Sequence, residues 1–209
     1  MLYWTLGIVG SLIGVWAGYT HLYEGGLDEP AYSVVDQIGD FEIRQYETFI
    51  IASTQPGKTG DAGLNSGFRI LAGYIFGGNQ PNEKLAMTAP VIQQNKKGES
   101  IPMTAPVVSA PDDMSMAFVM PPNRSLEDLP IPNSSKVQLT EVDWGLMAVT
   151  RFSGRGKQAR FKAAEQTLLL DIERAGKSPR GPALYAQYNS PSAFPPLRRN
   201  EVLIPIATD

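Results

Sequence analysis

The sequence predicts an α+β fold in which a curved, mainly antiparallel sheet or open barrel packs against two helices. Short runs that alternate apolar and polar residues, as strands with one buried face do, occur in both halves of the chain. Each half also contains one longer run with apolar residues at helical spacing. Because the runs follow in the same order in both halves, we expect a pseudo-twofold repeat of a strand-helix-strand unit, with a cleft where the halves meet.

The first half begins with three predicted strands. Residues 32–38 and 41–46 alternate and are separated by a turn at Gly39 and Asp40, and residues 48–54 continue as a third strand. Helix one follows, because apolar residues recur at helical spacing until two glycines end the run. Its apolar face consists of Leu64, Phe68, Leu71 and Ile75. Further strands are predicted over residues 86–93, 103–108 and 116–120.

The second half repeats this order after an exposed, proline-rich connector over residues 121–132. Residues 137–142 and 146–152 are predicted to form a hairpin around a short turn. A second helix is predicted over residues 156–175, with Gly176 as its left-handed C-terminal cap. Its apolar face consists of Phe161, Ala164, Leu168, Ile172 and Ala175. The last strands are predicted over residues 184–188 and 201–206.

The N-terminal segment differs in composition from the rest of the chain. Residues 2–23 carry no charged side chain and have the length of a membrane-spanning helix, about 20 residues. We therefore predict a transmembrane anchor over residues 1–23, then a linker over 24–30 and one domain over 31–209. A cleavable signal peptide is the alternative interpretation of the same residues.

Two further expectations follow from this segment. Gly10, Gly14 and Gly18 recur every four residues on one helical face, a spacing that permits close helix contact in lipid, so they form a candidate homodimer contact. A glycine pattern that faces lipid is the alternative. Acidic residues but no basic ones closely follow the span, which favours a membrane-anchored protein with an extracytoplasmic domain, periplasmic if the source is bacterial.

Composition excludes several classes of function. The chain has 18 basic and 21 acidic residues and a net charge of -3, so it lacks the basic footprint of a nucleic-acid-binding protein. It has no cysteine, and the sole histidine, His21, lies at the end of the apolar segment. Catalytic triads, zinc sites built on Cys or His and histidine-ligated haem are therefore excluded from residues 30–209. No catalytic residue is predicted, and an enzyme is not expected.

Several motifs resemble one protein family in order and spacing. They are Gly67-Phe68-Arg69, the string Met-Thr-Ala-Pro-Val at residues 87–91, and Tyr188-Asn189-Ser190-Pro191 followed by Leu197-Arg198-Arg199-Asn200-Glu201-Val202. Over residues 31–206 the chain resembles the SOUL haem-binding family. The Met-Thr-Ala-Pro-Val string recurs at residues 103–107, which predicts a hairpin whose prolines lie at strand edges beside an opening.

The resemblance implies that the domain binds haem or a related tetrapyrrole in an apolar cleft, as a carrier or buffer at a membrane. Burying about 400 Å² of a flat apolar ligand would contribute about 10 kcal/mol before ordering costs, and cations would bind its propionates. Following the family's first helix and closing loop, the predicted binding residues are Phe68, Arg69, Leu71, Ala72, Ile75, Met87, Phe194 and Arg198. The alternatives are a plain core role for the helix-one residues, and an ion-pair site of Arg198 and Arg199 with Glu201.

The chain departs from family members proposed to bind haem iron through histidine, because its domain contains none. Binding would then rest on hydrophobic contact, or on Met87, Met103 or Tyr74 as an axial ligand. The implied fold is similar to that of small-molecule effector-binding domains, so binding of another amphipathic small molecule is a second hypothesis. A hydrolase that uses Glu83 with a tyrosine is the third.

Overall fold

The computed structural model describes residues 15–21, 27–57, 60–86, 88–96, 113–190 and 192–207. The strands are β1 (Tyr32–Ile38), β2 (Phe41–Tyr46), β3 (Phe49–Thr54), β4 (Asn79–Gln80), β5 (Val91–Lys96), β6 (Asp113–Val119), β7 (Ile131–Pro132), β8 (Gln138–Val142), β9 (Leu146–Ser153), β10 (Leu184–Gln187) and β11 (Arg199–Pro205). The helices are α1 (Gly60–Ile75) and α2 (Gln158–Arg174), with a 3-10 turn at Pro195–Leu197 and a helical stretch over residues 15–21. Most of these bounds lie within a few residues of the predicted ones.

One curled antiparallel sheet contains nine of the strands in the described residues, in the order β1-β2-β9-β11-β10-β5-β6-β3-β8. Apart from the edge strand β1, which has no counterpart, the order is symmetric about the central pair of β10 and β5. Outward from that pair, β10, β11 and β9 on one side match β5, β6 and β3 on the other. Each group consists of one sheet strand before a helix and two after it. The structure therefore confirms the predicted α+β class, the curved antiparallel sheet and the repeated unit.

The predicted hairpin of residues 137–142 and 146–152 is wrong. β8 pairs with β3 in the first unit, whereas β9 pairs with β2 and β11 in the second. The turn between β8 and β9 therefore carries the chain from one unit to the other, and residues 47–48 make a second crossing from β2 to β3. The two crossings meet where the Tyr46 N–H donates to the Gly145 carbonyl at 3.1 Å. A short turn favours a hairpin locally, but here strands distant in the chain provide the ladder partners.

The two helices pack on the convex face of the sheet, one over each unit, and bury their apolar faces there. The most completely buried residues of these faces are Leu71 and Ile75 on α1 and Leu168 and Ile172 on α2. A third cluster of buried residues covers the concave face, which carries neither helix. Because both faces of the central strands are covered with apolar side chains, the sheet has one core against the helices and another inside its curl.

The sequence predicts two strands in the region around β5, over residues 86–93 and 103–108. The strand begins at Val91 rather than residue 86, because Pro90 has no N–H to donate to the ladder. Just before it, the Thr88 hydroxyl donates to the Val119 carbonyl and is buried. The predicted strand over residues 103–108, with the second Met-Thr-Ala-Pro-Val string and Met103, lies outside the described residues.

The connector and the end of the second helix were also predicted from glycine and proline. The connector is exposed only in part, because Leu129 is buried in the core under α1 and β7 pairs with β4. Gly176 has a φ of +71°, and its N–H donates to the Glu173 carbonyl at 2.9 Å. The left-handed cap of this helix is therefore confirmed.

The predicted membrane anchor is described only at its end, residues 15–21. No helix within the described residues is long and apolar enough to cross a membrane. Residues 1–14, which include Gly10 and Gly14, lie outside those residues. At Gly18, a Cβ atom would meet no heavy atom within 4 Å. The anchor, the alternative signal peptide and the glycine dimer contact therefore stay predictions that the structure does not support.

Candidate functional site

A cleft of about 660 Å³ opens on the concave face of the sheet and takes its walls from both units. Ligand sites for small molecules have volumes of roughly 300 to 1,000 Å³, so the cleft has a suitable size. Its apolar lining residues include Ile51, Ile92, Ala117, Trp144, Met147 and Leu184. The cleft therefore lies where the repeated units meet, as the sequence predicts.

The alternation of side chains in β3 shows why these residues reach the cleft. Ile50 and Ala52 lie in the core cluster under α1. Ile51 and Ser53, which alternate with them, line the cleft. Successive side chains of a strand point to opposite faces, so the pattern that buries one set under the helix presents the other set to the cleft.

Trp144 forms one wall of the cleft at the point where the chain crosses between units. Its ring meets the Tyr46 ring edge-on at 5.2 Å and the Phe49 ring edge-on at 4.7 Å between centroids. Tyr46 ends β2 in one unit and Phe49 begins β3 in the other. One indole therefore packs against both sides of the other crossing and holds the cleft wall in place.

Nearly half of the residues that line the cleft are polar or charged. The Thr54 hydroxyl is buried and has no hydrogen-bond partner in the described part of the chain. Lys136 supplies a cation at the cleft and Asp143 a carboxylate. Thr54 also borders the cleft, but it shares the helix-facing side of β3 with Ile50 and Ala52, so its hydroxyl does not point at a ligand in the cleft.

The other end of the concave face is filled by a polar cluster centred on Glu201, which is 0% exposed. Arg44 donates to both of its carboxylate oxygens, at 3.0 and 3.2 Å. The Tyr188 hydroxyl donates to it at 2.7 Å, and Arg199 Nε donates at 2.8 Å. Arg199 also donates to both oxygens of Glu29 at 2.9 Å, which joins the segment before β1 to the sheet. Of the alternative ion-pair site of Arg198 and Arg199 with Glu201, the contact between Arg199 and Glu201 is therefore present.

The electrostatics of this cluster keep its charges fixed. Burial alone would raise the pKa of Glu201, but the hydrogen bond from Arg44 and the charge of Arg199 together hold it below its ordinary value. Burial, with the nearby Glu201 charge, raises the pKa of Tyr188 well above its ordinary value. Burial also raises the pKa of Tyr46 to about 12. At neutral pH the cluster thus contains an ionised carboxylate and neutral tyrosines, an arrangement suited to holding structure rather than moving protons.

The binding residues predicted on helix one lie on the opposite face of the sheet from the cleft. Leu71 is 0% and Ile75 1% exposed, and both pack in the core between α1 and the sheet. Phe68 is 41% exposed and meets the Phe118 ring edge-on at 5.4 Å. Arg69 is exposed and Ala72 partly buried. Leu71 and Ile75 of helix one therefore belong to the core, which was the alternative interpretation of this helix. Contact of helix one with a ligand stays a prediction.

Of the remaining predicted residues, Phe194 and Arg198 lie away from the cleft, and Met87 lies outside the described residues. Phe194 packs edge-on against Trp16 at 5.0 Å between ring centroids. Arg198 Nε donates to the Ala193 carbonyl at 2.9 Å. Both belong to the loop before β11, whereas the cleft contains Pro205 at the far end of that strand. This loop therefore does not close the cleft in the structure.

The pair proposed for a hydrolase is engaged in other contacts. Glu83 forms an ion pair with Arg124. The Tyr74 hydroxyl donates to the Pro130 carbonyl at 2.9 Å and is buried. Burial raises the pKa of Tyr74 to about 12. The described lining of the cleft contains neither residue, so this structure does not bring them together as acid and base.

Sequence reasoning missed the residues that line the cleft, although one signal pointed to them. Strands of a sheet with one wet face should carry polar residues at every second position. The positions of β3 and β9 that alternate with the helix-facing ones include Ile51 and Met147, which are apolar. Apolar residues on both faces indicate that the second face is also covered or binds a ligand.

The residues of the cleft fit a flat ligand with both apolar and polar parts better than an iron held by protein nitrogen. His21 lies in the helical stretch of residues 15–21, and the described lining offers Met147 as its sulfur atom and Lys136 as a cation. No group of metal-binding side chains is present among the described residues.

A sequence model described as SOUL heme-binding protein matches residues 27–205, which is most of the chain. No curated protein matches the chain. Among the described elements, the match begins just before β1 and ends with β11. It therefore includes both units, the cleft and the buried polar cluster.

Solved structures show similarity in fold at low sequence identity. The crystal structure of the EcmrR C-terminal domain has 12% identity and a TM-score of 0.57, covering 85% of this chain and 99% of that one. A hydrolase from Listeria innocua has 11% identity and a TM-score of 0.51, covering 83% and 94%. EcmrR in a DNA complex has 10% identity and a TM-score of 0.57, covering 98% and 70%. At such identities, the likeness shows the fold alone.

Proposed function

This chain belongs to the SOUL heme-binding protein family. From this we propose that it binds haem or a related tetrapyrrole in the concave cleft, as a carrier or buffer at a membrane. The observation that carries the proposal is the 660 Å³ cleft, to which both units contribute apolar as well as polar side chains. No reaction is proposed, because the titratable residues of the buried cluster are held by one another.

The proposed site differs from the one that the resemblance implied. Its apolar contacts come from Ile92, Met147 and Trp144 instead of helix one. Burying about 400 Å² of apolar ligand surface would contribute about 10 kcal/mol before ordering costs, and this is an upper value here because nearly half of the lining residues are polar. Lys136 is placed to pair with a carboxylate at the ligand's edge.

The proposal is tested by filling the cleft. Ser53→Phe places a ring among the cleft walls, and we expect it to weaken hemin binding at least about tenfold, because the ligand loses the volume that it needs. Binding is measured by the Soret band and by the fluorescence of iron-free protoporphyrin. Val35→Phe on the exposed edge strand β1 is the matched control, since Val35 is 59% exposed.

Two further variants separate the cleft from the site on helix one. Lys136→Ala should weaken hemin binding a few-fold, because an exposed ion pair is worth up to about 1 kcal/mol. Arg69→Ala should leave it unchanged. If Arg69→Ala and Phe68→Ala weaken binding while Ser53→Phe does not, the ligand binds at the helix and the proposal for the cleft is wrong.

Another amphipathic small molecule is the second hypothesis for the same cleft. Two results together would favour this second hypothesis. The protein at micromolar concentration would bind neither hemin nor protoporphyrin, and native mass spectrometry would find another small molecule bound to it. Membrane attachment through residues 2–23 and pairing through Gly10, Gly14 and Gly18 also belong to the proposal. Their support is the charge-free N-terminal sequence.

A further inference from the structure

The helical stretch of residues 15–21 is attached to the domain by specific contacts. The Trp16 indole N–H donates to the Ser192 carbonyl at 2.8 Å. The Phe194 N–H donates to the Thr20 hydroxyl at 2.9 Å, and that hydroxyl donates to the Trp16 carbonyl at 3.0 Å. Thr20 is only 3% exposed. The end of the apolar segment is therefore docked on the described part of the loop between β10 and β11, called here the docking loop, residues 188–190 and 192–198.

The same helical stretch presents apolar side chains to solvent. Val15 is 72%, Tyr19 51% and Trp16 42% exposed. Val15 and Tyr19 are four residues apart, so they share one face of the helix. They end a run, residues 2–23, that carries no charged side chain and whose first part precedes the described residues. Tryptophan and tyrosine at the end of such a run are typical of the boundary between lipid and water.

We infer that the docking loop rests against the surface of a phospholipid bilayer, with Val15, Trp16 and Tyr19 in the interfacial layer and the cleft open on the water side. The inference rests on the membrane anchor of the proposed function. A bilayer fits this surface because the exposed aromatic face belongs to the charge-free run of residues 2–23.

The strand β11 sets the direction of the cleft. It begins at Arg199, next to the docking loop, and ends at Pro205 in the cleft wall, about 20 Å away at roughly 3.3 Å per residue. β10 runs in the opposite direction, from Leu184 in the cleft to the docking loop. The buried cluster around Glu201 lies between the two ends. A ligand would therefore enter the cleft from water and not from the lipid.

The absence of native cysteine allows a direct test on the full chain. Ser192→Cys labels the docking loop, and Ser135→Cys labels the cleft rim; both serines are exposed. Each variant carries an environment-sensitive fluorophore and is reconstituted in phosphatidylcholine vesicles that contain nitroxide lipids. We expect quenching of the Ser192 label at least about three times that of the Ser135 label. Equal quenching, stronger quenching at Ser135, or failure of the chain to float with the vesicles overturns the inference.

A second variant tests the docking contact itself. Trp16→Ala removes the indole bond and the ring contact, so quenching of the Ser192 label should fall at least about twofold. Phe76→Ala, which removes another exposed aromatic ring, should leave it unchanged. If Trp16→Ala does not fold, Thr20→Val removes the acceptor of the Phe194 N–H and should act in the same direction. Hemin titration of the same vesicles reports on the cleft separately, so failure of ligand binding and failure of bilayer contact are distinguishable.

Discussion

The two ends of the concave face differ in how their polar groups are satisfied. At the filled end, Glu201 is fully buried and binds two arginines and a tyrosine. At the open end, the polar residues Ser53, Lys136 and Asp143 line the 660 Å³ cleft beside apolar ones. Both ends belong to one sheet, and β11 runs from Glu201 at the filled end to Pro205 in the cleft wall. Buried ion pairs thus close one end of the curled sheet, whereas the other end leaves space for a ligand.

The largest expected loss of stability comes from removing the buried carboxylate of Glu201 at the filled end. Glu201→Gln should lower the free energy of unfolding by about 3 to 5 kcal/mol at pH 7, because Arg44 and Arg199 lose the charge that compensates them. Chemical denaturation measures the change. The exposed Glu173→Gln on α2 is the control and should change stability little.

The stability that Glu201 contributes should also depend on pH. Because the pKa of Glu201 is lowered in the folded state, its contribution to stability is present above its unfolded pKa, about 4.5, and is lost as the pH falls through its folded pKa. The difference between the native chain and Glu201→Gln should therefore shrink below pH 4.5. A difference that stays constant down to pH 3 would show that the ionised carboxylate is not what holds the cluster.

The second largest effect is expected at the open end. Trp144→Ala should lower the free energy of unfolding by about 2 to 3 kcal/mol, because both ring contacts at the crossings are lost. It should also weaken hemin binding, since Trp144 lines the cleft. The control is Phe76→Ala, at an exposed position outside the cleft. Loss of stability with unchanged hemin binding would remove Trp144 from the proposed site.

The smallest effect should have the opposite sign. Thr54→Val removes a buried hydroxyl without a partner, so the ligand-free protein should become more stable by about 1 kcal/mol. Because Thr54 shares the helix-facing side of β3 with Ile50 and Ala52, hemin binding should not change. Thermal unfolding with and without hemin measures both, and the exposed Thr140→Val on β8 is the control. Lower stability of Thr54→Val would show that the hydroxyl has a stabilising partner in the folded protein.

Local patterns predicted the elements of this fold well. The turn at Gly39 and Asp40 joins two strands that do pair, because the turn and the alternation specify one local hairpin. Leu71 and Ile75 were placed on the buried face of helix one for the same reason, since helical spacing depends only on nearby residues. Their second assignment, to a ligand site, came from the resemblance and is not supported by their burial in the core.

What the sequence alone determined was the order of strands and helices, the repeat, the absence of histidine and cysteine from the domain, and the family. Only the tertiary structure decided that β8 pairs with β3, that the cleft lies on the face opposite α1, and that Glu201 is buried between Arg44 and Arg199. The physical reason is distance along the chain. Periodicity reports which face of an element is buried, whereas strand pairing and buried ion pairs join residues up to 157 positions apart, and their free energy depends on the whole fold.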